Sequence, residues 1–130
     1  MMPRSPLKRR SKARLVAHRD GHRGEMLAAW WLRLQFYRIV AQRYKTPGGE
    51  IDLIARRFGV TVFVEVKLRR KTVSLAEAFE AVNHRRIVQA ADYWIGRNPA
   101  FADTDMRFDV IFLAPWTWPR HVINAFDAGP

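Results

Sequence analysis

Cysteine is absent from these 130 residues. Disulfides, thiolate metal sites and cysteine nucleophiles are therefore excluded, and the composition suits a reducing compartment. Acidic residues are scarce. Twelve Asp and Glu stand against 23 Lys and Arg, for a formal charge of +11 and a pI near 11.2. Long apolar runs are missing too, and nothing approaches the length needed to cross a bilayer. The N-terminus carries the charge of a signal peptide, but Leu15-Val16-Ala17 is too short to be its apolar segment. Arg9-Arg10 lack such a segment as well. These absences predict a cytoplasmic protein with no membrane partner.

What is present fits one globular domain behind a basic arm. Apolar residues make up 48% of the chain and aromatics 12%, enough for a packed core. Residues 1–23 hold eight Lys and Arg, Arg9 and Arg10 among them, against Asp20 alone. Such a segment is expected to be flexible and suited to lie along a phosphate backbone, or to act as a solubilising tail. Residues 24–130 form the expected domain. An overall charge of +11 points to a polyanionic partner, nucleic acid foremost.

Periodicity orders the domain. Residues 24–36 read as a helix, with Leu27, Ala28, Trp31, Leu32 and Leu34 as its apolar face and Glu25 in the first turn, where a carboxylate favours the helix dipole. Residues 37–44 read as a strand, and Lys45-Thr46-Pro47-Gly48-Gly49 as a turn. Strands over 50–56 and 60–68, joined by the short Arg57-Phe58-Gly59 segment, form an antiparallel hairpin. Ser74-Leu75-Ala76-Glu77 fits a capping box. The helical phase slips at Asn83, and a longer helix then carries Ile87, Ala90, Ala91 and Trp94 and ends near residues 96–99. A strand follows over 107–113, then an aromatic turn over 115–119 and a short edge strand over 121–126. The order predicts an α/β fold in mixed layers.

The hairpin carries charge where a core strand should have none. Asp52 lies between Ile51 and Leu53, and Glu65 and Lys67 interrupt a Val-Phe-Val-rich strand. Charged side chains are rarely buried without partners. A turn centred between Phe58 and Gly59 sets Asp52 opposite Glu65, with Cβ atoms roughly 5 Å apart. Lys67, two residues beyond Glu65, faces the same way; a one-residue slip would scatter all three. Two carboxylates held together in an apolar setting raise a pKa or recruit a cation. Oxygen-only ligands suit Mg²⁺ or Mn²⁺, ions that serve phosphodiester hydrolysis. The bland reading is a half-exposed hairpin whose charges pair with one another.

Gly49-Glu50-Ile51-Asp52-Leu53-Ile54-Ala55 followed by Phe63-Val64-Glu65-Val66-Lys67 resembles the D…E-x-K signature of the PD-(D/E)XK nuclease superfamily. With Gly24-Glu25, Arg69, Arg107-Phe108-Asp109-Val110 and Asn124-Ala125-Phe126, the chain resembles more closely the YraN-like family of small predicted endonucleases, similar to Holliday-junction resolvases. The resemblance implies a restriction-endonuclease-like αβββαβ core, a central mixed sheet flanked by helices. It implies Asp52 and Glu65 as metal carboxylates, the Val66 main-chain carbonyl as a further ligand, Lys67 as the catalytic lysine and Glu25 as an accessory acid. Ile51 stands where a proline often precedes the aspartate. The implied activity is Mg²⁺- or Mn²⁺-dependent cleavage of DNA, branched or structured. Symmetric cutting of a junction would need a homodimer.

Arg69, Arg70 and Lys71 beside the cluster, Arg43 and Lys45 on the first strand, and Arg9 and Arg10 in the arm are the expected nucleic-acid contacts. A non-catalytic binder that keeps the fold is the alternative function, and RNA the alternative partner. Gln89 and Tyr93 share a polar helix face with Arg85 and Arg86, a face that could contact phosphates but reads first as solvated surface. The five tryptophans read as packing residues, with Trp116 and Trp118 singled out as candidate base-stacking side chains.

Overall fold

A computed structural model describes residues 23–68 and 83–126. Helix α1 spans 23–34. Strands β1 (Arg38–Thr46), β2 (Gly49–Arg57) and β3 (Val60–Leu68) follow. Helix α2 (His84–Arg97) leads through a 3₁₀ turn at Pro99–Phe101 to β4 (Asp105–Leu113) and β5 (Arg120–Phe126). The strands form one sheet in the order β1-β2-β3-β4-β5, with only the β3–β4 pair parallel. This is the α/β architecture with a mixed central sheet that the sequence predicts. The basic arm up to residue 22, the Arg69-Arg70-Lys71 loop and the capping box at Ser74 lie outside the described residues, while Arg23, assigned to the arm, opens helix α1.

Alternation along β2 and β3 sorts two cores onto the two sheet faces. Ile54 and Phe63 pack with Ile87, Ala90, Ala91 and Trp94 of α2. Leu53, Ala55, Val62 and Val64 pack with Ala28, Ala29 and Leu32 of α1. The phase slip at Asn83 is a helix start: Asn83 is the N-cap, and its Oδ1 accepts the Arg86 amide at 3.2 Å.

Helix α1 is rotated from the sequence reading. Leu27 and Leu34, assigned inward, are 58% and 72% exposed. The buried stripe is Glu25, Ala28, Ala29 and Leu32, at i, i+3, i+4 and i+7. Small residues face the sheet because the backbone comes close: a Cβ placed on Gly24 would touch Val66, Leu68 and Leu113 at 3.7–3.8 Å. The helix ends in a Schellman motif. The Tyr37 amide bonds the Leu32 carbonyl, the Phe36 amide bonds that of Arg33, and Phe36 takes φ +70°.

The β2–β3 turn is a two-residue loop with positive φ at both Phe58 (+50°) and Gly59 (+77°). That is the type I′ pattern, which matches strand twist and locks Arg57 opposite Val60. At the other end of β2, α2 rests directly on the strand. A Cβ on Gly49 would lie 2.8 Å from the Arg86 carbonyl oxygen. Gly49→Ala is therefore expected to destabilise the protein by about 1–3 kcal/mol, the usual cost of overpacking. Urea unfolding of that variant measures it, and an unchanged midpoint would contradict the close approach.

Candidate metal centre

The β2–β3 ladder runs from Arg57↔Val60 to Leu53↔Val64 and then stops. Beyond that point β2 stays with β1 through Ile51, Glu50 and Gly49, while Glu65 to Leu68 stay with β4. The strands part at Asp52 and Glu65. Continued one step, the observed register sets these two residues across from each other, as the sequence predicts. Asp52 partly closes the break with its side chain: Oδ2 accepts the Val66 amide at 2.7 Å.

Side chains from both faces meet at this opening. The Asp52 and Glu65 carboxyl groups share a hydrogen bond, and Lys67 Nζ lies 3.2 Å from Glu65 Oε1. Glu25 arrives from α1 at the head of the buried stripe. A carboxylate oxygen from each of Glu25, Glu50 and Asp52 lies within 4.8 Å of the others. Asp52 thus belongs to two acidic groupings, one with Glu65 and one with Glu25 and Glu50. A cavity of about 290 Å³ opens here, walled by Glu50, Asp52, Glu65 and Lys67 on the sheet side and by Asn83, Arg86 and Ile87 on the α2 side.

Crowding makes these acids reluctant to ionise. Burial, with the neighbouring Asp52 charge, pushes Glu65 up to about 7, against the pull of Lys67. Burial also raises Asp52, opposed by the Val66 amide and the Glu65 hydrogen bond. Glu25 rises to about 7 through burial and the Asp52 charge, with Arg43 pulling the other way. A group of oxygen donors that cannot all be charged together is what a hard divalent cation relieves.

The other expected site residues fall in different places. Arg43 turns into the acidic group, its Nε 3.2 Å from Glu25 and 4.0 Å from Glu50. Lys45 is exposed opposite Glu50. Val66 meets Asp52 through its amide. Arg9, Arg10, Arg69, Arg70 and Lys71 lie outside the described residues. Gln89 is exposed and lies over Gly48, and Tyr93 packs against Tyr44, ring centroids 6.5 Å apart. Three lining residues escaped the sequence reading: Glu50, Asn83 and Arg86. Glu50 had a signal, since it stands two residues before Asp52 on one strand and so faces the same way. Arg86 was placed on a polar helix face able to contact phosphates, but only the packing of α2 on Gly49 brings it to this cavity.

A mixed sheet with helices on opposite faces and an acidic opening between its central strands defines an α/β protein with a restriction-endonuclease-like αβββαβ core. The chain belongs to a family described as the uncharacterised protein family UPF0102, whose model matches residues 24–113. It is 54% identical over 121 residues to a UPF0102 protein of Mesorhizobium japonicum, covering 91% of this chain and 94% of that relative. It is 51% identical over 119 residues to one from Chelativorans sp., covering 89% and 94%. A third, from Parvibaculum lavamentivorans, is 47% identical over 124 residues, covering 95% and 93%. All the elements that build the acidic opening lie within the matched span.

Proposed function

We propose that this protein is a PD-(D/E)XK-type endonuclease that hydrolyses phosphodiester bonds in DNA with a divalent cation, and that its DNA is branched or otherwise structured. The observation that carries the reading is the placement of Asp52, Glu65 and Lys67 at the point where β2 and β3 part. Strands paired side by side would have no need to hold two hydrogen-bonded carboxyls and an ammonium at one opening.

The donor set fits a hard cation. Asp52 and Glu65 would hold it, with Glu25 and Glu50 on the flank of Asp52. A strand residue's carbonyl leaves on the same edge as its amide, so the Val66 carbonyl faces the opening and suits a further ligand. Mg²⁺ or Mn²⁺, when bound, supplies Lewis-acid polarisation of a phosphoryl oxygen and neutralises charge that grows there. Lys67 is held by Glu65 with its ammonium at the cavity wall, placed to stabilise an anionic phosphate. Arg86, across the cavity, is placed to bind a phosphate oxygen. Arg43 holds Glu25 in the group and balances part of its charge.

The test is cleavage of labelled linear, flapped and four-way DNA with Mg²⁺ or Mn²⁺. Lys67→Ala is expected to slow cleavage by about 10²–10³-fold, the usual cost of losing one charge-stabilising donor. Full activity in that variant would overturn the assignment. DNA binding with no cation uptake and no cutting would instead make the protein a non-cleaving nucleic-acid binder.

A further inference from the structure

Helix α1 is apolar on two opposite sides. Residues 26–34 hold one charge, Arg33. Glu25, Ala28, Ala29 and Leu32 face the sheet. Leu27, Trp30, Trp31 and Leu34 repeat the same spacing, i, i+3, i+4 and i+7, on the far side of the helix. Trp30 is 57% exposed, and Met26, Leu27 and Leu34 stand open beside it. A helix that is apolar all round belongs inside a larger core, yet α1 meets the sheet with one side only.

The patch continues past the helix. Trp31 lies against Trp118 of the β4–β5 turn, ring centroids 6.2 Å apart. Trp118 is 82% exposed, and Trp116, two residues before it, is fully exposed. At these exposures the three open indoles, with Met26, Leu27 and Leu34, offer roughly 800–1,000 Å² of apolar surface. The largest patch on an ordinary monomer is about 300–600 Å². Each partner in an interface of standard size contributes about 800 Å².

Composition and connectivity narrow the occupant. Tryptophan, methionine and leucine without an acid are what the centre of a protein interface collects. The Arg33 guanidinium lies over the Trp30 ring, 5.4 Å from its centroid, so the helix face offers a phosphate chain no cluster of cations. Within the chain, residues 1–22 hold seven Lys and Arg and few large apolar side chains, Leu7, Leu15 and Val16 among them. Residues 69–82 join Leu68 to Asn83 at the head of α2, which packs on the other face of the sheet. A second copy brings the same residues and the same area, and a two-fold axis closes the contact. With that axis near Trp30 and Trp31 the two helices run antiparallel. Leu27 then meets Leu34 of the partner subunit, the macrodipoles oppose each other, and Arg33 stays at the rim.

We propose that the outer face of α1, continued by Trp118 and Trp116, is the surface through which two copies of this chain pair. The pairing goes beyond the nuclease reading and does not depend on it.

The test is sedimentation equilibrium of the full chain in EDTA, at about 0.5 M salt so that the charge of +11 on each copy is screened. The wild type is expected to be dimeric at about 50 μM. Leu34→Glu, at an open position, weakens association tenfold or more, with circular dichroism showing the fold kept. W116A/W118A, on the turn rather than the helix, weakens it too. Phe58→Ser removes an equally open aromatic from the β2–β3 turn and leaves the dimer intact. Asp52→Asn pairs like the wild type whether or not the chain cuts DNA, so pairing and cleavage are tested apart. A wild type that is monomeric at that concentration overturns the pairing, as does a Leu34→Glu protein as dimeric as the wild type. A monomeric wild type that floats with phosphatidylglycerol vesicles would assign the face to a lipid surface and overturn the pairing as well.

Discussion

Asp52→Asn is expected to abolish divalent-metal-dependent cleavage, by about 10³-fold or more, and at the same time to make the metal-free protein more stable at pH 8. The two effects have one origin. Asparagine keeps the local geometry, since its amide oxygen can still accept the Val66 amide and its NH₂ group can donate to Glu65. It removes the carboxylate common to both acidic groupings, and with it the attraction for a cation. It also removes the charge that Glu65 and Glu25 resist.

The sign of the stability change follows from the carboxyl shifts. Glu65 and Glu25 sit near 7 in the fold, and Asp52 is raised as well, because of burial and mutual repulsion. In the unfolded chain these groups ionise near pH 4. The fold holds protons that the unfolded chain has released, so stability from this cluster is full below about pH 4 and falls as pH climbs towards 7. The substituted carboxamide has no proton to lose, and without the Asp52 charge its neighbours ionise more easily. The variant should gain on the order of 1–3 kcal/mol over the wild type at pH 8, and much less at pH 4. Urea unfolding at the two pH values reads this directly. A variant that is dead in cleavage but no more stable at pH 8 would mean that the acids do not strain the metal-free fold.

The largest loss of stability is expected at Asp109, which the proposed chemistry does not use. Asp109 is fully buried on β4. Its carboxylate accepts Arg107 Nε and Nη2, both at 2.8 Å, His121 Nε2 at 2.6 Å and the Asn124 amide at 3.0 Å. Burial alone would raise its pKa. The hydrogen bonds from His121, Arg107 and the Asn124 amide outweigh burial together and hold it below the ordinary carboxylate range. Those bonds pin β5, which among the described strands pairs with β4 alone, and β5 anchors the turn that carries Trp116 and Trp118.

Asp109→Ala leaves Arg107 and a nearly buried His121 without their shared anion. Breaking one side of a buried pair costs about 3–5 kcal/mol. The pH dependence has the opposite sense to that of Asp52. A depressed carboxyl contributes stability above its unfolded pKa, near 4, and loses it as pH falls through the lower folded value. The gap between wild type and Asp109→Ala should therefore be widest near pH 7 and shrink below pH 4. Hydrogen exchange should show β5 amides losing protection first. Equal stability of the two proteins at pH 7 would contradict this role.

The residues differ in how much of this they disclose by themselves. The Asp52–Glu65 opposition was legible from apolar alternation on both strands once the turn is centred between Phe58 and Gly59, and the structure supplies that centring through positive φ at both residues. Buried positions of α2 were legible for the same reason: Ile87, Ala90, Ala91 and Trp94 keep strict helical spacing. Helix α1 misled because Leu27 and Leu34 are more hydrophobic than Ala28 and Ala29, yet close packing on the sheet prefers the smaller pair. The setting of Arg43 was not legible. A bulge between Ile39 and Ala41 shifts the β1 register by one, which brings Arg43 rather than Gln42 across from Asp52. A bulge is a property of the paired strands and leaves no mark in the residues that make it. The exposed tryptophans were half legible: Pro115 and Pro119 marked the aromatic turn, but only the structure shows that Trp116 and Trp118 stand in solvent there.

Binding of a divalent cation by Asp52 and Glu65, for phosphodiester cleavage, is tested most directly in crystals soaked in Mn²⁺, with the anomalous signal of the ion mapped. One peak shared by the Asp52 and Glu65 carboxylates is predicted, lost in Asp52→Asn. A map without a peak there, with the two carboxyls still hydrogen-bonded to each other in saturating Mn²⁺, would contradict the assignment.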